Sequence, residues 1–347
     1  RQMCIRDRVL GPATIDVALA RGHNVTLFNR GKTRPGLYPK LEKLKGDRDT
    51  GALDALKGDR TWDVVIDNSG YVPSHAEATA KLLADRVKQY VFISSVSVYK
   101  GFGTGTAPVD ESSEVLEVPP EFLAKVKKIR DSFKHYGGMK ALSEQAVEKT
   151  MPGRACNIRP GLIVGPKDRS DRFTYWPVRI QKGGEVLVPD QPEVVTQVID
   201  VRDLGEFIVH CAEETTNGLF NATSPPEELT MGELLNACRE TSGSDATFTW
   251  VDTKFLEEHK VEAWSDMPVW VPLDGEDAGH PFVNVERALA AGLTYRPIRQ
   301  TIRATLDWWK SVSEERRLRP MRSGISPERE RELLEAWHAL QEAEAVK

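Results

Sequence analysis

Long apolar runs are missing from this sequence, and none reaches the length of about 20 residues that a membrane-spanning helix needs. A secretory signal is not visible at its start either. Cysteine is scarce: four residues among 347 stand far apart, without the spacing of a metal site or a disulfide framework. These absences exclude a disulfide-stapled or membrane-spanning protein, and we expect a cytoplasmic chain whose thiols stay reduced.

An excess of positive charge is also missing. The formal net charge is −5, with 47 basic and 52 acidic side chains interspersed. Binding to a phosphate backbone usually requires a basic surface, so a nucleic-acid partner is disfavoured. The seven histidines show no ligand spacing, and we therefore predict no metal site.

Helical segments alternate with short β-branched runs from residue 9 onwards. The segments "VTLF" (25–28), "DVVID" (63–67) and "YVFIS" (90–94) read as buried strands. Alternation of this kind is typical of a parallel sheet with crossover helices. The pattern predicts an α/β protein with a Rossmann-type doubly wound parallel sheet and a smaller C-terminal substrate-binding region.

Two helix starts are marked by their capping residues. Thr230 and Glu233 have the spacing of a capping box, in which each side chain accepts from the other residue's backbone N–H. Ser326 followed by Pro327 predicts the N-cap and first residue of the last helix.

We predict three regions: a nucleotide-binding domain over 9–165, a substrate-binding region interleaved with late sheet elements over 166–315, and a helical extension over 316–347. The first eight residues, "RQMCIRDR", are charged and unlike the pattern that follows. We expect them to be a foreign leader, with the first strand missing and cofactor binding weakened. A native signal peptide lost with that strand would not be visible here.

Tyr136 and Lys140 are four residues apart, so a helix places both on one face. A tyrosine ordinarily titrates near pH 10, and a neighbouring ammonium favours its phenolate form. The pair is therefore a candidate proton shuttle, although an ordinary surface pair has the same spacing. Ser94, Ser95 and Ser97 follow a predicted strand, at the edge where open α/β sheets bind ligands.

The segments "ISSVSVY" and "YGGMK" resemble the extended short-chain dehydrogenase/reductases, also called the NAD-dependent epimerase/dehydratase family. The resemblance covers about residues 10–309. It implies a catalytic triad of Ser95, Tyr136 and Lys140, with Tyr136 as general acid/base. Lys140 would lower the pKa of that tyrosine and hold the nicotinamide ribose. The step of 41 residues from Ser95 to Tyr136 exceeds the family's usual one and predicts an insertion that shapes the pocket.

The resemblance also implies a nicotinamide cofactor. Asn29 and Arg30 stand where NAD-specific members place an acidic residue, and a guanidinium there favours NADP, with NAD as the alternative. The remaining residues that the resemblance assigns to the cofactor are Gly11, the last glycine of the phosphate-binding turn, Asp47 at the adenine, and Ser69 and Gly70 at the phosphates and ribose.

Two glycines follow the tyrosine, although each costs a helix interior roughly 1 kcal/mol relative to alanine. We expect Gly137 and Gly138 to let cofactor and substrate approach the helix. Arg172, Tyr175 and Trp176 are candidates for a cationic and aromatic substrate wall, although such aromatic residues also form cores.

Four functions stay open, and one of them is a cofactor-sensing scaffold without turnover. The leading one is an NAD(P)-dependent oxidoreductase or epimerase that acts on a small hydroxyl or carbonyl substrate such as a nucleotide sugar. The segment "DRFTYWPVR" also resembles isoflavone-type reductases, and "VTLFNRGK" and "DVVIDNSG" resemble the chloroplast stem-loop-binding proteins, which bind RNA and lack the catalytic tyrosine. Because Tyr136 and Lys140 are both present, the enzyme is favoured. The resemblance further implies a homodimer formed through a helix pair.

Overall fold

A seven-stranded parallel sheet forms the centre of the computed structural model, which describes residues 2–5, 9–101, 108–225, 228–273 and 282–345. The strand order is β3-β2-β1-β4-β5-β6-β10, and two further parallel pairs join β8 to β11 and β7 to β9. The strands of the described residues are β1 (Gln2–Ile5), β2 (Asn24–Asn29), β3 (Glu42–Lys45), β4 (Trp62–Asp67), β5 (Val87–Ile93), β6 (Ala155–Pro160), β7 (Leu162–Val164), β8 (Glu185–Pro189), β9 (Val198–Asp200), β10 (Gly218–Ala222) and β11 (Thr247–Val251).

Helices connect these strands and cover both faces of the sheet. They are α1 (Leu10–Ala20), α2 (Pro73–Leu83), α3 (Pro120–Leu123), α4 (Tyr136–Thr150), α5 (Tyr175–Gln181), α6 (Val201–Glu214), α7 (Met231–Ser242), α8 (Thr253–Glu258), α9 (Glu286–Ala290), α10 (Ile298–Ser311), α11 (Glu314–Leu318) and α12 (Pro327–Ala345). Among the described helices, none is both long and apolar enough to cross a membrane. The predicted doubly wound α/β fold is confirmed.

The two faces of the sheet have separate cores. Helices α1 and α6 pack on one face, where residues such as Ile15 and Phe207 meet Ile66 of the sheet. Helices α2 and α4 pack on the other face, where Ala80 and Val147 meet the inward side chains of β4 and β5. Both faces of the central strands are therefore buried, which explains their nearly continuous apolar sequences.

The C-terminal region has its own core, which is formed by α5, α7, α10, α12 and the β8–β11 pair. The last helix begins at Pro327, with Ser326 Oγ accepting from Arg329 N at 3.2 Å, as its capping residues predict. The capping box of Thr230 and Glu233 is also present. Strand β10 completes the large sheet, although it lies in sequence between elements of the C-terminal region. The domain limits at residues 165 and 315 stay a prediction.

The prediction that the first strand is missing is wrong. Gln2–Ile5 forms β1 and pairs in parallel with both β2 and β4, so it takes the central position of the sheet. Sequence reasoning failed here because it judged the leader by the charges of Arg6, Asp7 and Arg8, which lie outside the described residues. The four residues before them suffice for a short central strand.

Candidate functional site

The sheet changes direction at β1, since the chain passes from β1 outward to β2 and β3 and then returns to β4 on the other side. In open α/β sheets, ligands bind beyond the carboxyl ends of the strands at such a point. The carboxyl ends of β2, β4 and β5 carry Asn29, Asp67 and Ile93, and each is followed by residues that the sequence assigned to the site.

Lys140 is buried on the first turns of α4, with only 2% of its surface exposed. Its Nζ donates to the carbonyl oxygen of Ile93 at 2.7 Å, at the last residue of β5. The same ammonium lies 4.4 Å from the ring centre of Tyr71 and 5.1 Å from that of Phe92. An ammonium in this setting is held in one place by a carbonyl oxygen and two aromatic faces.

Tyr136 is the first residue of α4, one helical turn before Lys140, and it is partly buried. Its ring lies 6.2 Å from the ring of Tyr71, so Tyr71 lies next to both members of the pair. The predicted shared helix face is confirmed by this arrangement. The catalytic role of the pair is taken up below as a proposal.

Ser95 caps the short 3₁₀ turn that follows β5. Its Oγ accepts from the backbone N–H of Ser97 at 3.1 Å and lies 3.1 Å from the hydroxyl of Ser97. Since Lys140 donates to Ile93 two residues earlier, the turn and the ammonium share the carboxyl end of β5. The structure thus brings Ser95, Tyr136 and Lys140 to one edge of the sheet.

The two glycines of α4 have a different function from the predicted one. A Cβ atom on Gly137 would overlap the carbonyl oxygen of Ser97, and one on Gly138 would press against Val118 and the carbonyl oxygen of Leu116. The space beside these glycines is therefore filled by the protein's own chain. The glycines let α4 pack directly on the 3₁₀ turn that Ser95 caps, called the serine turn below, and on the chain at residues 116–118.

Replacing Gly137 with alanine is therefore expected to push α4 away from the serine turn. The overlap cannot be relieved by a rotamer change, because the obstacle is a backbone oxygen. We therefore expect the unfolding free energy to fall by at least about 1–3 kcal/mol. Chemical unfolding measures it, with Gly36→Ala as the matched control, since a Cβ there meets no atom within 4 Å. Equal stability of the two variants would refute the packing role of Gly137.

A cavity of about 560 Å³ opens between the end of β2 and the loop that follows it. This volume is in the range of small-molecule and cofactor sites. Its far wall includes Tyr71, which contacts the Tyr136–Lys140 pair. The described lining residues are Pro12, Ile15, Leu27, Asn29, Arg30, Gly31, Lys32, Thr33, Arg34, Pro35, Leu37, Tyr38, Lys43, Lys45, Ser69, Tyr71, Ile129 and Phe133.

Five of these lining residues are basic, and among the described ones none is acidic: Arg30, Lys32, Arg34, Lys43 and Lys45. The loop that carries three of them is fastened at Tyr38, whose hydroxyl donates to Asp16 at 2.6 Å. Lys43 donates to the carbonyl oxygen of Pro35 at 2.7 Å. This concentration of cations favours a ligand with phosphate groups.

The predicted cofactor residues divide into two groups. Asn29, Arg30 and Ser69 line the cavity; Asn29 Oδ1 also accepts from the backbone N–H of Gly31 at 2.8 Å. Gly11 and Asp47 do not appear in its described lining: Gly11 is buried in the first turn of α1, and Asp47 caps a 3₁₀ turn by accepting from Asp49 N. Their cofactor roles stay predictions.

Gly70 packs against the sheet. A Cβ atom there would overlap the ring of Phe92, so the glycine lets the backbone lie directly against this side chain of β5. Gly70 is not among the described residues that line the cavity. Ser69, beside it, has a buried hydroxyl for which the described residues supply no hydrogen-bond partner. A polar ligand group at this wall would fit that hydroxyl.

A buried ion pair beneath the site was missed by sequence reasoning. Asp67, the last residue of β4, is held by both terminal nitrogens of Arg48, each at 2.7 Å. Tyr90 donates to the same carboxylate at 2.8 Å. Although burial alone would raise its pKa, Arg48 and these hydrogen bonds lower the pKa of Asp67 to about 2. The sequence signal for this ion pair was Asp67, a charged residue at the end of a largely apolar strand.

A second buried network lies below the carboxyl end of β6. Arg159 holds Glu144 of α4 with contacts of 2.9 and 2.6 Å. The guanidinium also stacks 4.8 Å from the ring of Tyr99, whose hydroxyl donates to Asn221 at 2.6 Å. This network joins α4 to β6 and β10. It therefore fixes the helix that carries Tyr136 and Lys140.

Two predicted substrate residues lie elsewhere. Trp176 is fully buried in the C-terminal core and donates to the carbonyl oxygen of Pro268 at 2.6 Å. Tyr175 is 3% exposed in the same core. The prediction that they form a substrate wall is wrong, because both side chains are buried in the core where α5 packs against α7 and α10. Arg172 alone remains partly exposed, 5.4 Å from the ring of Trp264.

No protein-family model matches the chain. A curated relative, the chloroplast stem-loop binding protein of 41 kDa b of Arabidopsis thaliana, is 26% identical over 257 residues. The match spans 68% of this chain and 61% of that protein, which is less than two thirds of its length.

Solved structures are similar to nearly the whole chain. The Bordetella bronchiseptica enzyme WbmH in complex with NAD⁺ has a TM-score of 0.60 at 15% identity, covering 89% of this chain and 98% of that one. Thermotoga maritima UDP-glucose 4-epimerase with UDP-glucose gives 0.57 at 13%, covering 89% and 99%. The human epimerase family protein SDR39U1 with NADPH gives 0.56 at 18%, covering 90% and 100%. These likenesses show that the chain shares its fold with these proteins.

Proposed function

We propose that this chain, which has the fold of the extended short-chain dehydrogenase/reductases, is an NADP-dependent oxidoreductase or epimerase. It acts on a small substrate with a hydroxyl or carbonyl group, such as a nucleotide sugar. The observation that carries the proposal is the juxtaposition of Tyr136 and Lys140 with a cavity lined by basic side chains.

Tyr136 exchanges a proton with the substrate oxygen in this proposal, as the general acid/base. Ser95 donates to the same oxygen from the serine turn and orients it. The buried ammonium of Lys140 favours the phenolate of Tyr136, and its contact with Ile93 keeps the lysine from turning away. The bound cofactor supplies the hydride acceptor or donor. Tyr71, against both side chains, limits the access of water.

The residues present fit a dinucleotide with an additional phosphate. Asn29 replaces the carboxylate that would bind a free ribose hydroxyl, and Arg30, Lys32 and Lys45 offer cations to a 2′-phosphate. Ser69 offers its unpartnered hydroxyl at the other end of the cavity wall. These features favour NADP over NAD.

Replacing Arg30 with alanine is expected to abolish most of the preference for NADPH over NADH, because the planar guanidinium is the group that binds phosphate bidentately. Titration of each dinucleotide into both proteins measures the ratio of dissociation constants. Lys40→Ala is the matched control, since Lys40 is exposed on the same loop and does not appear in the described cavity lining. Equal affinities for NADPH and NADH in the unchanged protein would refute phosphate recognition by Arg30.

RNA binding is a second candidate, favoured by the stem-loop-binding name of the curated relative and by the same cations. The net charge of −5 and the presence of Tyr136 and Lys140 favour the enzyme. Salt-dependent binding of an RNA stem-loop together with no affinity for NADPH would reverse the choice. An isoflavone-type reductase differs from the leading proposal only in its substrate. The homodimer and the cytoplasmic location stay predictions.

A further inference from the structure

The chain that leads into α4 contributes part of the cavity wall. Its last turn is the 3₁₀ helix Ile129–His135, which we call the strap and which ends next to Tyr136. Ile129 and Phe133 of the strap line the cavity together with Tyr71. The cavity wall therefore extends from the loop after β2 to the residues just before the proposed acid/base.

The strap is fixed at both ends. At its start, the backbone N–H of Ile129 donates to Asp49 Oδ1 at 2.9 Å. At its end, the ring of His135 lies edge to face with the ring of Phe122, with 4.4 Å between the ring centres. These contacts do not involve the side chain of Phe133, which lies between the two fixed ends.

Phe133 presents an apolar ring to the cavity, and its side chain belongs to a residue that is 57% exposed. The ring lies 5.8 Å from that of Tyr71, which contacts both Tyr136 and Lys140. Leu37, on the loop after β2, lines the same cavity and is 37% exposed. A ligand that fills the cavity removes this apolar surface from water, which favours binding. A planar ring also gains from an offset or edge contact with an aromatic side chain.

We propose that the strap packs on a dinucleotide bound in the cavity, with Phe133 against one of its planar rings. The basic side chains that line the same cavity, such as Arg30 and Lys45, bind the phosphate groups. The dinucleotide is thereby held by cations on the β2–β3 side and by an apolar contact from the strap. This inference rests on the proposed function and adds to it a binding residue that no sequence motif indicates.

The first measurement is a titration of NADPH into the full chain and into its Phe133→Ala variant. We expect the variant to bind NADPH at least about 10-fold more weakly, because it loses the ring contact and its apolar area. The thermal unfolding midpoint without NADPH should stay unchanged, since the side chain is largely exposed. Phe133→Tyr should keep most of the affinity because it keeps the ring. Leu318→Ala is the matched control, since Leu318 is 78% exposed on α11 and does not appear in the described cavity lining.

Limited proteolysis with trypsin tests the position of the strap independently. Arg130 and Lys134 are exposed residues of the strap, so trypsin cleaves after them when the strap opens locally. Saturating NADPH should slow cleavage at both sites by at least about 5-fold, because the bound dinucleotide holds the strap closed. Cleavage after Arg317, which is exposed on α11, should not change and serves as the internal control.

Three results would overturn the inference: equal NADPH affinity in the unchanged protein and in Phe133→Ala, an equal loss of affinity in Leu318→Ala, or cleavage of the strap at the same rate with and without bound NADPH. Absence of NADPH binding by the unchanged protein would refute the proposed function and this inference with it. Intact NADPH binding that does not depend on Phe133 refutes the strap contact alone.

Discussion

Replacing Tyr136 with phenylalanine is expected to lower the turnover rate by at least about 10²-fold while leaving NADPH affinity nearly unchanged. The phenol is the group that exchanges a proton, and the ring that contacts Tyr71 is kept in phenylalanine. The measurement pairs steady-state turnover of a hydroxyl or carbonyl substrate, followed as net cofactor oxidation or reduction for an oxidoreductase and as epimerised product for an epimerase, with a titration of NADPH. Near-normal turnover of the variant would remove Tyr136 from the mechanism.

Lys140→Met provides the contrast to this variant. Because Lys140 is proposed both to favour the phenolate and to hold the cofactor ribose, its loss should weaken NADPH binding as well as turnover. Tyr71→Phe is the control within the same aromatic cluster, since it keeps the ring that faces both side chains. A loss of rate in Tyr71→Phe as large as in Tyr136→Phe would indicate a general packing effect.

Replacing Arg48 with methionine is expected to lower the unfolding free energy by about 3–5 kcal/mol, because it leaves the carboxylate of Asp67 buried without its cation. Urea unfolding at neutral pH measures the loss. Lys88→Met is the matched control: Lys88 of β5 pairs with Asp63 of β4, the strand that also carries Asp67, but the Lys88 side chain is 80% exposed. Such exposed pairs contribute about 0–1 kcal/mol. Equal losses in both variants would contradict the role of the buried pair.

The unfolding free energy of the Arg48→Met variant should depend on pH in the opposite direction from that of the unchanged protein. In the unchanged protein the pKa of Asp67 is lowered to about 2, below its ordinary value of 3.8. The stabilisation by this carboxylate is therefore full above about pH 4 and is lost as the pH falls through 2. Without Arg48, burial raises the pKa, so the folded state binds the proton more tightly than the unfolded chain. The variant should then gain stability on acidification from pH 7 to 5, and a flat profile over that interval would contradict this.

Residues with local signals were predictable from the sequence. Tyr136 and Lys140 follow from helical spacing, Ser95 from its position after a strand, and the helix beginning at Pro327 from its cap. Each depends on neighbours within a few residues. The doubly wound sheet follows from the same short-range patterns, because parallel strands need crossover helices.

Features that depend on distant partners were not predictable. Arg48 and Asp67 form an ion pair across 19 residues, and Lys45 joins Arg30 at the cavity only because β3 pairs with β2. Trp176 was wrongly assigned to the substrate because an aromatic side chain suits either a pocket or a core. Only the packing of α5 shows that this one belongs to the core. The role of Gly137 needed the position of Ser97, 40 residues earlier in the chain.

The cavity beside Tyr71 is central to the proposed function, and calorimetric titration of the unchanged protein with NADPH tests it most directly. We expect one equivalent of NADPH to bind, more tightly than NADH, and an RNA stem-loop at physiological salt neither to bind comparably nor to displace it. Absence of NADPH binding, together with RNA binding that weakens steeply as salt rises, would contradict the proposed function.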